Sequence, residues 1–212
     1  MLITFEGGEG AGKSTLIRQI ADFFKQKGRE IVETREPGGT VLGSQVRHLV
    51  LKVIPEMKIC PKAELMLYLT SRAQTVEEII IPALREGKVV LCDRFNDSTV
   101  VYQGGARGLS VEEVKHLCDF VCGDVKPDLT FYLDVDPTVG LQRTQKIAKE
   151  QSGIGEMDRI ESETLTFHDK VRESYLRIAE QEPERVVVLD ANKSIDDVRK
   201  EALKVLTQCM ST

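Results

Sequence analysis

A short glycine-rich segment near the start of the chain carries the residue types that hold phosphates. Residues 7–14 read GGEGAGKS and match the pattern G-x-x-x-x-G-K-[ST] at each fixed position. Glycines let successive backbone N–H groups turn inward, and the N-terminus of a following helix adds partial positive charge for an anion. In such a loop Lys13 reaches the β- and γ-phosphates of a nucleoside triphosphate, and the Ser14 hydroxyl ligates Mg²⁺. The sequence therefore predicts a triphosphate site formed by Gly7, Gly8, Glu9, Gly10, Ala11, Gly12, Lys13, Ser14 and Thr15.

The segments on either side of this loop favour binding over a glycine-rich turn that binds nothing. An apolar run, Leu2–Phe5, leads into the loop, and a helical pattern, Lys13–Gln26, leads out of it. The same loop serves kinases, motor ATPases and switch GTPases, so other residues must decide the reaction.

Charged residues follow the other predicted strands, at the strand ends where open parallel sheets collect their ligands. Asp93 is placed to bind a magnesium-bound water, although a solvated turn aspartate would look the same in the sequence. Arg35 and Arg94 can each hold a phosphate through two hydrogen bonds. One triphosphate is already served by Lys13 and the loop amides, so these arginines indicate a second phosphorylated ligand. The pattern predicts phosphoryl transfer between two nucleotides.

Short apolar runs alternate with helix-length segments along the whole chain, which predicts an α/β fold. The runs are nearly continuous rather than alternating, as in parallel strands covered by helices on both faces. The predicted strands are Leu2–Phe5, Glu30–Glu33, Val89–Cys92, Leu129–Leu133 and Val186–Leu189. The predicted helices are Lys13–Gln26, Val41–Leu51, Lys62–Glu86, Val111–Phe120, Pro137–Ile147, Met157–Glu180 and Ile195–Gln208. We expect one domain over residues 1–212, with a five-stranded parallel sheet.

Composition and charge exclude several classes of function. A net charge of −5 argues against sequence-independent nucleic-acid binding, which needs a large basic surface. The longest apolar runs are strand-sized, far below the roughly 20 residues that span a bilayer. The first residues have no basic stretch or cleavage site typical of secretion, so we expect a cytoplasmic protein without a membrane partner.

Further motifs, in this order and at these spacings, resemble the thymidylate kinase family of P-loop enzymes, which convert dTMP to dTDP. They are TREPGGT at 34–40, SRAQ at 71–74, DRF at 93–95, a serine at 98 with YQGG at 102–105, PDLT at 127–130, GLQR at 140–143 and DRIE at 158–161. The resemblance covers almost the whole chain. It implies an ATP-dependent dTMP kinase that uses Mg²⁺, a three-layer P-loop NTPase fold and a homodimer.

Carried over residue by residue, the resemblance assigns the base and sugar of dTMP to one set of side chains. It implies that Arg72 hydrogen-bonds thymine and that Tyr68, one helical turn earlier, stacks on its face, where the family more often has Phe. Tyr102 corresponds to the residue that crowds the sugar 2′ position, with Gln103 beside it.

The resemblance also assigns residues around the acceptor phosphate. Arg35 and Arg94 correspond to a clamp on the dTMP phosphate, and Glu9 lies near the acceptor sugar and the metal. Ser98 belongs to the same substrate-binding motif.

A polar segment with two glycines, residues 149–156, predicts a mobile loop, which corresponds to the lid of the family, at about 144–158. Lid closure excludes water, which would otherwise compete for the γ-phosphoryl group. The phosphate-binding loop contains no arginine and has Gly10 at its centre, so the resemblance implies a catalytic cation from the lid. Arg143, Lys149 or Arg159 could serve, and the sequence leaves these three open.

Two alternatives remain from the sequence alone. The first is another nucleotide or deoxynucleoside kinase. The second is a non-enzymatic nucleotide switch, which for GTP would call for Asn-Lys-x-Asp, whereas Asn192-Lys193-Ser194 is followed by Ile195.

Overall fold

The computed structural model describes residues 1–152 and 157–210, and it contains a five-stranded, all-parallel sheet. The strand order is β2-β3-β1-β4-β5. The strands are β1 (Leu2–Glu6), β2 (Ile31–Arg35), β3 (Val89–Asp93), β4 (Leu129–Asp134) and β5 (Val186–Asp190). The predicted fold class and strands are therefore confirmed, with ends that shift by one or two residues.

Helices cover both faces of this sheet. They are α1 (Lys13–Gln26), α2 (Val41–Leu51), α3 (Pro61–Thr75), α4 (Ile81–Arg85), α5 (Asn96–Thr99), α6 (Val111–Cys122), α7 (Pro137–Ser152), α8 (Leu165–Gln181) and α9 (Ile195–Cys209). Successive side chains of β1 show the two-sided burial: Ile3 packs with Phe24 of α1 and Leu206 of α9, whereas Leu2 packs with Ile80 on the opposite face. Near-continuous apolar strands are the sequence cause of this arrangement.

The register of the central strands brings the candidate residues to one edge. Phe5 of β1 lies opposite Asp93 of β3, and Arg35 of β2 lies opposite the same aspartate. The chain leaves β1 directly into the glycine-rich loop and then enters α1 at Lys13. As a result, that loop and the ends of β2 and β3 face one common space.

Two helical segments differ from the sequence prediction because of tertiary contacts. The predicted helix Lys62–Glu86 is interrupted by a π-helical turn, Val76–Ile80, between α3 and α4. A second π-helical turn, Val100–Ala106, follows α5 and was not predicted. It contains a glycine pair, Gly104-Gly105, a composition that argues against helix. A Cβ on Gly105 would lie 2.3 Å from the Ser174 hydroxyl oxygen of α8, so the two segments pack closely there.

The predicted helix Met157–Glu180 begins late, at Leu165. The Asp158 carboxylate accepts hydrogen bonds from the N–H groups of Ile160 and Glu161, which makes a separate turn. The Thr164 side chain then caps α8 by accepting from the Phe167 N–H. Asp158 and Thr164 are both residue types that favour the start of a helix, and α8 begins after Thr164.

Helix α7 extends beyond its predicted end at Ile147, through Ser152. Of the predicted mobile loop at 149–156, residues 153–156 lie outside the described residues. The boundary of the lid at about 144–158 stays a prediction. In the described ranges, no helix has the length and apolar character needed to cross a membrane.

Candidate active site

The loop after β1 is shaped by glycines in conformations that other residues rarely adopt. Gly7, Gly10 and Gly12 have φ values of 144°, 66° and 93°. A Cβ on Gly7 would lie 2.6 Å from the carbonyl oxygen of Leu133, and one on Gly10 would collide with the carbonyl of Gly140 in α7. The loop backbone therefore packs directly against β4 and α7, and its own amides remain available at the start of α1.

Lys13 lies inside this loop and is almost buried, with 8% of its surface exposed. Its ammonium group donates to the carbonyl oxygens of Gly7 at 3.1 Å and Gly8 at 2.9 Å. Burial and the charge of Arg94 lower the pKa of Lys13, against the opposing effect of nearby carboxylates. Since an ammonium has three N–H donors, one remains for a phosphate oxygen.

Ser14 and Asp93 form the candidate magnesium site. The Ser14 hydroxyl donates to the Asp93 carboxylate at 3.2 Å, beside the loop. Mg²⁺ prefers a few protein oxygen ligands together with waters and substrate phosphates. A hydroxyl and a carboxylate next to a phosphate-binding loop fit that donor set.

The loop opens into a wide cleft that is open to solvent. Seven cations are among the residues that line this cleft: Lys13, Arg18, Arg35, Arg47, Arg94, Arg143 and Lys146. Ala191, Lys193 and Ile195, which follow β5, line another part of the same cleft. The Arg143 guanidinium donates to the Ala191 carbonyl at 3.1 Å, so it bridges α7 and the end of β5. This cleft has the size and charge to hold a nucleoside triphosphate.

A second, smaller cavity adjoins the cleft; its space is about 540 Å³ when the open solvent at its mouth is included. Glu9, Glu36, Arg47 and Arg94 line both spaces, which places them at the junction. Two ligands bound in these spaces would therefore meet beside the phosphate-binding loop.

Arg94 is the best-anchored cation of the junction. Its backbone has a φ of 70°, unusual for a residue with a side chain. Its guanidinium donates to the Gly7 carbonyl at 2.8 Å, pairs with Glu9 at 2.5 Å and lies 5.2 Å from the Tyr102 ring centroid. Burial would raise the pKa of Glu9, but Arg94 and Lys13 lower it, so this carboxyl stays ionised at neutral pH.

Glu6 holds the turn that carries Arg94. It is fully buried and accepts hydrogen bonds from the Phe95 N–H at 2.7 Å, the Ser98 hydroxyl at 2.6 Å and the Tyr175 hydroxyl at 2.8 Å. Burial and the charge of Asp97 raise the pKa of Glu6 to about 7, in spite of these hydrogen bonds.

The lining of the second cavity also has the side chains for a flat ligand. Tyr68, Arg72, Tyr102 and Gln103 line it together. Arg72 is 2% exposed and donates to Glu36 at 2.6 Å, to the Thr99 hydroxyl at 2.7 Å and to the Phe95 carbonyl at 2.9 Å. The Glu36 charge keeps the pKa of Arg72 above its ordinary value despite burial. Arg72 is thus held rigidly at the cavity wall.

Comparison with known proteins identifies the family. The family model described as thymidylate kinase matches residues 5–202. The chain belongs to the thymidylate kinase family. It is 52% identical to the thymidylate kinase of Protochlamydia amoebophila over 206 residues, which cover 97% of this chain and 92% of that protein. It is 44% identical to that of Halalkalibacterium halodurans over 209 residues, covering 99% and 97% of the two chains.

A solved structure agrees with this assignment. The crystal structure of thymidylate kinase from Ehrlichia chaffeensis matches with a TM-score of 0.76 and 33% identity, covering 98% of each chain. The resemblance in the sequence motifs is thereby confirmed at the level of the family.

The structure of this thymidylate kinase family member brings most predicted site residues together. Those around the two adjoining spaces include Glu9, Lys13, Ser14, Thr15, Arg35, Tyr68, Arg72, Asp93, Arg94, Ser98, Tyr102, Gln103 and Arg143. Two predicted cations lie elsewhere. Lys149 is exposed on α7 beside Gln142 and Glu150, and Arg159 forms an ion pair with the buried Glu64 of α3.

Sequence reasoning missed two residues at the junction. Arg47 lies on α2 between the buried Val46 and Val50, and it lines both spaces. Burial and the neighbouring Arg35 lower the pKa of Arg47. A charged residue inside the apolar stripe of a helix was the available signal. Glu36, also missed, follows Arg35 within the quoted TREPGGT motif.

Proposed function

We propose that this chain transfers the γ-phosphoryl group of ATP to dTMP and so forms dTDP and ADP. The observation that carries the proposal is the junction of two adjoining spaces at Glu9 and Arg94, beside the phosphate-binding loop. In this arrangement ATP occupies the wide cleft, and dTMP occupies the smaller cavity with its phosphate at the junction. Membership of the thymidylate kinase family supports this choice over other nucleotide kinases.

Catalysis in this proposal depends on positioning and charge neutralisation. The acceptor is already an anionic phosphate oxygen, so no strong general base is needed. Lys13 donates to the β- and γ-phosphates, while Arg35, Arg47 and Arg94 hold the acceptor phosphate in line with the γ-phosphorus. Glu9 fixes Arg94 and keeps its fork at the junction.

The Ser14 hydroxyl and Asp93 carboxylate would hold Mg²⁺. When bound, the ion would neutralise charge on the β- and γ-phosphates and orient them. The loop amides and Lys13 would supply the rest of that neutralisation.

Of the three cations that the sequence left open, we propose Arg143 as the one that acts on the transferring group. It lines the triphosphate cleft, and its other contact is a backbone carbonyl that it can leave at little cost. Arg159 would first have to leave the buried Glu64 carboxylate, which is far more costly. We expect Arg143→Lys to lower kcat much more than Lys149→Ala, and equal losses would contradict this assignment.

Base recognition in the proposal uses other side chains that line the smaller cavity. The Tyr68 ring stacks on thymine, Arg72 donates to its carbonyl oxygen and Tyr102 fills the space beside the sugar 2′ carbon. If bulk causes discrimination, Tyr102→Ala should accept ribonucleotides more readily than Tyr102→Phe does.

The decisive experiment measures ADP release with ATP and a series of acceptors: dTMP, dUMP, dCMP, dGMP and thymidine. We expect dTMP to give the highest kcat/KM and thymidine to give none. Equal rates with all acceptors would contradict the substrate assignment. Calorimetry with GTP and ATP in the absence of acceptor tests the nucleotide-switch alternative, which requires tight GTP binding.

We also propose that the chain forms a homodimer through α2, α3 and α6. Helix α3 packs between α2 and α6, and all three carry exposed apolar side chains: Leu42 and Leu49 on α2, Met66 on α3 and Phe120 on α6, which is 85% exposed. Exposed apolar side chains on helices that pack together are typical of an interface. Sedimentation equilibrium should give twice the chain mass, and Leu49→Glu should give monomers.

The cytoplasmic location stays a prediction, which cell fractionation would test. The same holds for the lid at about 144–158 and for a single domain over residues 1–212.

A further inference from the structure

Gln103 lies at the base end of the smaller cavity, and its amide is fixed by a carboxylate behind it. The Gln103 Nε2 donates to Glu64 Oε1 at 2.9 Å. Glu64 is 1% exposed and belongs to α3, whereas Gln103 lies in the π-helical turn Val100–Ala106. Within residues 1–152 and 157–210, no hydrogen bond from the protein reaches the Gln103 side-chain oxygen.

Glu64 can only accept hydrogen bonds, because its neighbours keep it ionised. Burial would raise the pKa of Glu64, but hydrogen bonds from Arg107 and Gln103, with the charges of Arg107 and Arg159, hold it below its ordinary value. An ionised carboxylate has no donor to offer. The Gln103 amide must therefore present its N–H₂ group to Glu64 and its oxygen to the other side, towards the cavity that it lines.

Arg72 offers the opposite kind of group to the same cavity. Its donations to Glu36, Thr99, Phe95 and, at 3.7 Å, the Cys118 sulfur occupy four N–H groups. A guanidinium has five N–H groups, so one is left for a ligand. The cavity end thus combines a fixed acceptor with a fixed donor.

This pair matches one type of pyrimidine edge. Thymine and uracil carry an N3–H donor beside the O4 acceptor, whereas cytosine carries an N3 acceptor beside the N4 amino donor. A freely rotating glutamine amide could turn over and suit either edge.

We propose that Glu64, through its hydrogen bond to Gln103, fixes the amide orientation that selects thymine and uracil over cytosine. This inference rests on the proposed dTMP kinase function. Glu64 is not among the described residues that line the cavity. Its role is therefore to position Gln103 rather than to contact the base.

Glu64→Gln is the variant that tests this role. Arg107 Nε donates to Oε1, while Arg107 Nη2 and Arg159 both face Oε2. In the variant, an amide nitrogen at the Oε2 position would face two arginine donors, whereas at the Oε1 position it would face one. The nitrogen is therefore favoured at the Oε1 position, next to Gln103, whose amide would then turn over and present N–H₂ to the cavity.

The measurement is kcat/KM for dTMP, dUMP and dCMP with the wild-type enzyme and with Glu64→Gln. We expect the dCMP:dTMP ratio to rise by about tenfold or more in the variant, because mismatched buried hydrogen bonds dominate such discrimination. The dUMP:dTMP ratio should stay constant, since the two bases share this edge. A purely structural loss would lower all three values and leave both ratios unchanged, which would overturn the proposal.

Glu163→Gln is the matched control. Glu163 pairs with Arg107 in the same network but does not contact Gln103, so both ratios should stay at the wild-type values. Glu64→Asp keeps an acceptor-only group and should also keep the dCMP:dTMP ratio low.

A measurement on the wild-type enzyme covers the case in which Glu64→Gln fails to fold. The 3-deaza analogue of dTMP has C–H in place of N3–H and should lose most of kcat/KM, because the Gln103 oxygen would face no donor. Undiminished activity with this analogue would overturn the proposal. Absence of dTMP turnover in the wild-type enzyme would instead contradict the proposed function itself.

Discussion

The triphosphate cleft and the base cavity both contain arginines, but they hold them differently. In the base cavity Arg72 pairs with the buried Glu36, and behind that cavity Glu64 pairs with Arg107 and Arg159. In the cleft, Arg35 and Arg143 have no carboxylate partner within the described part of the chain. Paired cations form a rigid wall that is nearly neutral, which suits an uncharged base. Unpaired cations leave a net positive field, which suits phosphates.

Among the variants considered, Lys13→Ala should give the largest loss of activity. It tests the role of the cations in the triphosphate cleft. We expect kcat to fall by about 10³–10⁵-fold, roughly 4–7 kcal/mol of transition-state stabilisation, because a cation next to the transferring group is lost. Circular dichroism should show an intact fold, since the ammonium contacts loop carbonyls that water can also reach once the side chain is removed. Retained turnover would mean that the triphosphate does not bind in this loop.

Arg72→Leu tests whether the paired cations support the fold itself. Removing the guanidinium leaves Glu36 buried without its partner, which should lower the free energy of unfolding by about 3–5 kcal/mol. Arg35→Leu is the matched control from the cleft. Arg35 is exposed, so this change should alter stability by about 0.5 kcal/mol or less while lowering kcat/KM. Urea denaturation of both variants measures the difference, and similar losses would remove the contrast between the two regions.

Glu6 lies under the junction, and its ionisation gives the stability a predictable pH dependence. An unfolded glutamate ionises near its ordinary pKa of 4.5, whereas folded Glu6 ionises at about 7. Between these values the folded state binds more protons, so the contribution of Glu6 to stability is complete below pH 4.5 and is lost as the pH rises through 7. The loss should be roughly 3 kcal/mol at most, from the size of this pKa difference.

Comparison with Glu6→Gln isolates that effect. The variant cannot ionise at residue 6, so its stability relative to the wild type should increase from pH 5 to pH 8, measured by urea denaturation. A constant difference across this range would show that Glu6 does not titrate there. Glu64, which lies behind the base cavity, should not add to this change, since its neighbours hold its pKa below the ordinary value.

Changes in ionic strength should affect nucleotide binding in the triphosphate cleft but not the base preference of the cavity. This is the smallest effect that we expect. Raising KCl from about 0.05 to 0.5 M shortens the screening length and should raise the KM of ATP a few-fold. The dTMP:dUMP and dTMP:dCMP ratios of kcat/KM should not change, because the bases are uncharged and the three acceptors share one phosphate. A salt-dependent base preference would contradict the separation of charge and base recognition.

Local patterns predicted most of the fold and the phosphate site. The loop at 7–14 combines fixed residue types with a preceding strand and a following helix, and all of these are local in sequence. The central strands β1, β3 and β4 were also predictable, because both of their faces are buried and their sequences are nearly continuous apolar runs.

Features that depend on contacts between distant residues were not predictable. The π-helical turn Val100–Ala106 forms against α8, and no local pattern announces that contact. The sequence named Arg159 as a candidate catalytic cation, but a lone arginine does not reveal that its partner is Glu64 of α3. Sequence reasoning likewise placed Gln103 among the substrate-binding residues, beside Tyr102, but it could not show that the Gln103 amide donates to Glu64.

The contact between Gly10 and Gly140 limits how this enzyme can be altered. The two backbones touch where side chains would otherwise stand, so the loop and α7 fit together only while both positions remain glycine. Engineering that grafts an arginine into the loop at position 10 would push away the very helix that carries Arg143. In this fold, an arginine at position 10 of the loop would therefore displace Arg143 from the cleft.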